Sequence, residues 1–258
     1  MKIGAYQFAV TGNIKQNMSV IEKAISQAAQ EGVEMLIFPE CALTGYPPHD
    51  MKNSAGVNFA ELDAVYEHLQ TLADNLKIHI AAGTIMREKD KYYNSGVVFS
   101  PDKPKDIYFK RALWGWDKEN FCAGNRNGIF EINGIRIGIR ICFEVRFPEY
   151  FRELYMEKTE LNLILFYDVS DHDDVERYEL IKSHIRTRAV ENVCDILTVD
   201  AIRPFQTAPT AFFDKSGHVE YELERNTEGM LVFDFEKKSL NFGEKGRKEI
   251  SDTLTARI

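Results

Sequence analysis

Long apolar runs, basic blocks and closely spaced cysteines are all missing from this chain. Without a stretch of about 18 apolar residues no transmembrane helix is expected. Without a lysine- or arginine-rich segment, and with a formal net charge of −8, nucleic acid and anionic membranes are poor partners. The four cysteines, Cys41, Cys122, Cys142 and Cys194, make no Cys-x-x-Cys pair. That spacing argues against a zinc knuckle or a thioredoxin-type motif. The first ten residues, MKIGAYQFAV, lack the apolar core and small-residue cleavage site of a signal peptide and read as a strand. Free thiols in a reducing cytoplasm are the expectation. The six histidines (49, 68, 79, 172, 184 and 218) are scattered, so no metal and no other cofactor is expected.

What is present is ordinary for a globular protein: 258 residues, 44% hydrophobic and 28% charged. No Pro/Ser-rich linker, short-period repeat or low-complexity segment divides them. Residues 1–258 therefore read as a single domain. Residues 238–258 are polar and contain glycine, and read as a tail crossing the surface or a dimer partner.

Period and punctuation predict the elements. A strand over 2–10, a helix over 15–31 ended by Gly32, and a strand over 33–38 make a strand–helix–strand unit, which implies parallel pairing. A Gly- and Pro-rich loop spans 41–58, a helix 59–76, and strands 78–84, 92–99 and 106–110. Residues 111–128 look irregular and hold both tryptophans. Asn133-Gly134 marks a hairpin turn within 129–141. A helix near 147–158, a strand at 161–167, a helix at 173–191 and a strand at 194–199 follow, then short strands over 208–236. The pattern is α/β. It holds more strands than one doubly wound sheet needs, and two packed sheets with helices outside would use them all.

Three apolar strands run straight into a reactive side chain: LIFPE ends at Glu40, IYFK at Lys110 and IGIRIC at Cys142. Ligands bind at strand ends in α/β folds, and a buried strand holds such a residue rigidly. Cys142 is a candidate nucleophile, its thiol activated by a neighbouring cation, or else a small buried core residue. Glu40 suits a general base with a raised pKa, or a solvated strand end. Lys110 would stabilise an oxyanion, or lies on the surface.

Together these segments resemble the nitrilase-like carbon–nitrogen hydrolases, in their amidase-type branch. The matching stretches are FPECALTGYPP around Glu40, YFKRALW around Lys110 and GIRIGIRICFEVRFPEYFREL around Cys142. Tyr93-Asn94-Ser95 and Arg188-Ala189-Val190-Glu191-Asn192 match two further family elements. The resemblance implies a four-layer α–β–β–α sandwich, two packed sheets with helices outside. It also implies homodimers or higher homo-oligomers, with the helix after Cys142 and the helix holding Arg188 contributing to the contact. The implied activity is hydrolysis of a non-peptide C–N bond in a small amide or N-carbamoyl compound. It proceeds by a Glu40–Lys110–Cys142 triad and a thioester intermediate, consumes water and releases ammonia. The Phe143 backbone N–H would join Lys110 at the oxyanion.

The resemblance further implies a second acid after the lysine. Glu119 is favoured, with Asp117 the alternative. Tyr46 would wall the pocket or pack its loop. Arg146 would meet a substrate carboxylate or pair with Glu149 or Glu153. The acidic loop 167–174, which holds Asp168, would favour a cationic or amine-bearing substrate or cap a helix. Asp200 stands where many relatives carry Asn. Other readings stay open: a nitrilase, a free-standing glutaminase (FPECALTGYPPHD is similar to the glutaminase domain of NAD synthetases), or a non-catalytic binding protein on the same fold.

Overall fold

In the computed structural model, which describes residues 1–256, β1 (Lys2–Gln7), α1 (Ile14–Gln30) and β2 (Met35–Ile37) form the first crossover unit. Its strands pair in parallel, as a helical crossover demands. The Asn13 side chain caps α1 by accepting from the Gln16 N–H at 3.1 Å. Ile14, Met18, Ile21, Ala24, Ile25 and Ala28 make one buried stripe along it. Helix α2 (Phe59–Leu76) and strands β3 (His79–Glu88), β4 (Lys91–Phe99) and β5 (Asp106–Phe109) follow.

The short helix α3 (Trp116–Asn120) leads to the hairpin of β6 (Ile129–Ile132) and β7 (Ile135–Ile141). Asn133 and Gly134 turn it with φ of +51° and +74°, both positive as a type I′ turn needs. Next come α4 (Pro148–Met156), β8 (Leu161–Phe166), β9 (Val169–Ser170), α5 (Val175–Asn192), β10 (Asp195–Asp200) and β11 (Phe205–Gln206). Strands β12 (Ala211–Phe213), β13 (Val219–Glu222) and β14 (Gly229–Asp234) and helix α6 (Phe242–Thr255) close the described chain.

The strands form two six-stranded sheets, ordered β14-β1-β2-β3-β4-β5 and β13-β12-β10-β8-β7-β6, with β9 and β11 as a separate ribbon. One apolar cluster lies between the sheets, including Ile3, Met35, Ile37, Ile139, Leu163, Leu165 and Leu197. A second seats α1 and α2 on the first sheet, and a third seats α4 and α5 on the other. The layers are α–β–β–α, as expected, and the two sheets take up every strand but β9 and β11. Central strands β2, β8 and β10 are buried along their whole length. That accounts for the apolar runs of β2 and most of β8. No helix among the described residues is long and apolar enough to cross a membrane.

Two helices lie where the sequence reads as irregular. One is α3. The other is α6, within the polar segment expected as a tail. It starts on a reciprocal cap, with Glu244 N–H donating to Asn241 Oδ1 (2.9 Å) and Asn241 N–H to Glu244 Oε2 (2.8 Å). Helix α6 lies against α4 and α5 of its own chain. Tyr155 donates to the Lys248 carbonyl, and Arg247 to the Val190 carbonyl, both at 3.1 Å. Residues 257–258 of that expected tail lie outside the described residues.

Gly83 on β3 lets the turn carrying Glu40 lie directly on the sheet. A Cβ there would stand 2.3 Å from the Pro39 carbonyl oxygen and 2.4 Å from both Cys41 N and Glu40 Cα. All three are backbone atoms, so the turn itself would have to move. Gly83→Ala is expected to lower the unfolding free energy by about 1–3 kcal/mol, read by urea denaturation. A wild-type midpoint would refute this account of the close approach.

Candidate active site

Glu40 follows β2, Lys110 follows β5 and Cys142 follows β7. The first two strands belong to one sheet and the third to the other, so the site sits where the sheets' ends face each other. Glu40 is 1% exposed and Lys110 2%. Lys110 Nζ donates to Glu40 Oε1 at 2.8 Å and lies 2.8 Å from Asp117 Oδ2. Asn94 Nδ2 adds a 2.6 Å bond to Glu40 Oε1, and the Tyr167 N–H adds one of 2.8 Å to Oε2. The Glu40 N–H in turn donates to the Phe166 carbonyl (3.2 Å), so this residue stitches the end of β2 to the end of β8. Tyr46 donates its hydroxyl to Asp117 Oδ1 (2.8 Å) and stacks on Tyr167 with ring centroids 5.2 Å apart.

Cys142 is half-buried and opens a short 3-10 turn, Cys142–Arg146. Its φ of +45° is left-handed, uncommon for a residue with a side chain. Glu144, fully buried, holds the turn there. Its Oε2 accepts from the Ile141 N–H (2.7 Å), and its Oε1 from Tyr108 Oη (2.6 Å) and the Arg111 N–H (2.7 Å). One carboxylate thus ties the strand before the thiol to the residue after Lys110. From the other side, buried Arg188 donates to the Val145 and Arg146 carbonyls at 2.9 and 3.1 Å. Arg188 therefore braces the nucleophile turn within its own subunit.

The electrostatics follow from one cation among several anions. Burial raises the Glu40 pKa; Lys110 opposes this and Asp117 reinforces it. Burial also opposes the Lys110 ammonium, but Glu40 and Asp117 outweigh it and hold the group charged. The Cys142 thiol is pushed well up by burial and by Glu40, against Lys110, with Asp168 and Asp117 adding to the rise. At rest the site holds a neutral thiol beside a carboxylate of raised proton affinity.

Of the two acids weighed after the lysine, Asp117 is buried against the ammonium. Glu119, favoured from sequence, is exposed. The two sit two residues apart on α3, and such positions face different ways on a helix. Tyr46 joins the cluster through Asp117. Arg146 forms no ion pair with Glu149 or Glu153; its guanidinium lies over the Phe143 ring at 5.9 Å, and Glu153 pairs with Arg111 and Arg140. The helix cap expected of the acidic loop is supplied by Asp174, which accepts from the Arg177 N–H at the start of α5; Asp168 turns to the thiol instead. Its Oδ2 stands 3.9 Å from Cys142 Sγ, and its Oδ1 meets Arg177 Nη2 at 2.6 Å and the Thr207 hydroxyl. Asp200 is fully buried and accepts from the Asp168 N–H at 2.9 Å. Glu144, Tyr167 and Thr207 carried no sequence signal beyond their neighbourhood. Among the described residues one group has metal-ligand spacing, Asp214, His218 and Glu220. It is largely open to solvent, beside the β12–β13 turn.

Glu144→Gln replaces an acceptor with an amide that presents N–H to N–H in a closed space. The expected results are a loss of about 1–3 kcal/mol of stability and a changed rate of Cys142 alkylation by iodoacetamide. A variant matching wild type in both would show that the carboxylate does not brace the site.

Against known proteins, the carbon-nitrogen hydrolase family model matches residues 2–238. A nitrilase of Pyrococcus abyssi is 28% identical over 59% of this chain and 61% of its own, so the chain spans less than two thirds of that relative. A 2-oxoglutaramate amidase of Bacillus subtilis is 30% identical over 70% of this chain and 67% of its own. An (R)-stereoselective amidase of Pseudomonas sp. is 28% identical over 74% and 68%. The same fold occurs in a cysteine-to-alanine mutant of the amidase from Nesterenkonia sp. AN1 in complex with butyramide. Its TM-score is 0.83 at 19% identity, covering 100% of this chain and 96% of that one. With a family match running from β1 past β14, the chain belongs to the carbon–nitrogen hydrolase family.

Proposed function

We propose that the protein hydrolyses the C–N bond of a small primary amide or N-carbamoyl compound, through a thioester on Cys142, and releases ammonia. The observation that carries this reading is the Lys110 ammonium clamped between Glu40 and Asp117 beside the thiol. A base of raised pKa next to a neutral thiol suits proton abstraction timed to nucleophilic attack. Glu40 takes the Sγ proton as sulfur attacks the carbonyl carbon. The oxyanion that forms is met by Lys110 Nζ and the Phe143 N–H. Glu40 passes its proton to the leaving nitrogen, the C–N bond breaks, and ammonia departs. A water, deprotonated by Glu40, then attacks the thioester, frees the acid and restores the thiol. Asp117 and Asn94 act through the other groups, Asp117 by holding the ammonium and Asn94 by orienting Glu40 Oε1.

The test is ammonia release from a panel of small amides, N-carbamoyl compounds and nitriles. Turnover of amides or carbamoyl compounds, lost by more than about a thousandfold in Cys142→Ala, is expected. Turnover of nitriles alone, no ammonia from any compound, or activity retained in Cys142→Ala would overturn the reading.

A further inference from the structure

Asp168 is the polar group nearest the nucleophile that the proposed mechanism leaves idle. It is 6% exposed and fixed on every side but one. Its N–H donates to Asp200 Oδ1 at 2.9 Å, and its carbonyl accepts from the Thr207 N–H at 2.8 Å. Its Oδ1 is taken by Arg177 and the Thr207 hydroxyl. Its Oδ2 faces Cys142 Sγ at 3.9 Å, and that thiol is its hydrogen-bond partner among the described residues. The thiol proton leaves when sulfur attacks, and Oδ2 then has no donor. A buried carboxylate oxygen left without one is costly, and doubly so beside a thiolate.

We propose that the substrate supplies the donor, and that Asp168 selects substrates with an N–H one or two bonds from the scissile carbonyl carbon. The position follows from reach. The attacked carbon bonds to Sγ, and a donor must come within about 2.9 Å of Oδ2. With Sγ and Oδ2 3.9 Å apart, a donor one or two bonds from the attacked carbon is within that reach. The leaving nitrogen is served by Glu40 in the hydrolase reading, on which this inference rests. The donor is then the α-ammonium of an α-amino amide or the inner N–H of an N-carbamoyl compound. Arg177, whose side chain is 43% exposed, orients the carboxylate from the Oδ1 side and leaves Oδ2 for this bond. Asp168 adds to the forces holding the thiol protonated, behind burial and Glu40. A donor at Oδ2, an ammonium above all, relieves that opposition as the substrate binds.

The experiment compares kcat/KM for butanamide, 2-aminobutanamide and ethylurea, which share chain length but differ in the donor beside the carbonyl. In Asp168→Asn the ratio of 2-aminobutanamide, of ethylurea, or of both to butanamide should fall at least tenfold. Which of them falls tells the cationic donor from the neutral one. Equal loss on all three, or no change in the ratios, overturns the proposal. Should that variant fold poorly, calorimetry on Cys142→Ala decides: 2-aminobutanamide or ethylurea should bind more tightly than butanamide, and equal or weaker binding of both overturns it. If wild type releases no ammonia from any of the three or from the wider panel, the hydrolase reading fails instead, and the binding comparison still judges Asp168.

Discussion

One ammonium shared by two carboxylates in a closed site sets the terms for everything around it. Lys110 Nζ is 2.8 Å from both Glu40 and Asp117, and all three side chains are almost wholly buried. Removing the ammonium leaves two buried carboxylates without a counter-charge, which costs several kcal/mol, on the order of 3–5. The cluster also carries one more anion than cation. The remaining lone pairs are met by neutral donors: Asn94 and the Tyr167 N–H on Glu40, and the Tyr46 hydroxyl on Asp117. Burial, more than the excess negative charge, raises the proton affinity of Glu40 and keeps the Cys142 thiol neutral.

The fold delivers this cluster by stacking two sheets and stitching their ends. Glu40 joins β2 to β8, and Glu144 joins β5 to β7. In both, backbone N–H groups donate to a carboxylate, so the main chain is fixed as well as a side chain. The left-handed Cys142 is sustained by the same arrangement, with Glu144 on one side of its turn and Arg188 on the other. Strain of this sort persists only where neighbours over-determine it. Asp168 arrives from the end of β8, the strand that also brings Tyr167 to Glu40. The proposed base and the proposed selecting acid thus share one support.

Much of the scaffold was legible because its strands and helices carry clean periods. The α1 stripe, the Asn133-Gly134 hairpin and the three strand-end residues all follow from pattern and punctuation. What escaped depended on contacts that periodicity does not encode. Helix α3 is barely more than one turn long, and without it Asp117 and Glu119 look interchangeable. Helix α6 is polar with two glycines, and its capping pair, Asn241 and Glu244, went unread. Glu144 lies two residues past the nucleophile turn's start, where an acid reads as a surface residue. Its burial comes from β5, distant in sequence. The surroundings of Asp168 join the β8 and β10 ends to Arg177 of α5 and to Thr207, a convergence set by sheet order and not by spacing.

The central claim is that burial, opposed by Lys110 and reinforced by Asp117, sets the proton affinity of Glu40 for work on Cys142. The pH dependence of kcat/KM in wild type and Asp117→Asn tests it most directly. Wild type should show an acidic limb above the ordinary glutamate value of 4.5, because burial and Asp117 raise the Glu40 pKa. Removing the Asp117 charge lowers that pKa, so the limb should move to lower pH. A limb that stays in place, or moves to higher pH, would contradict the account.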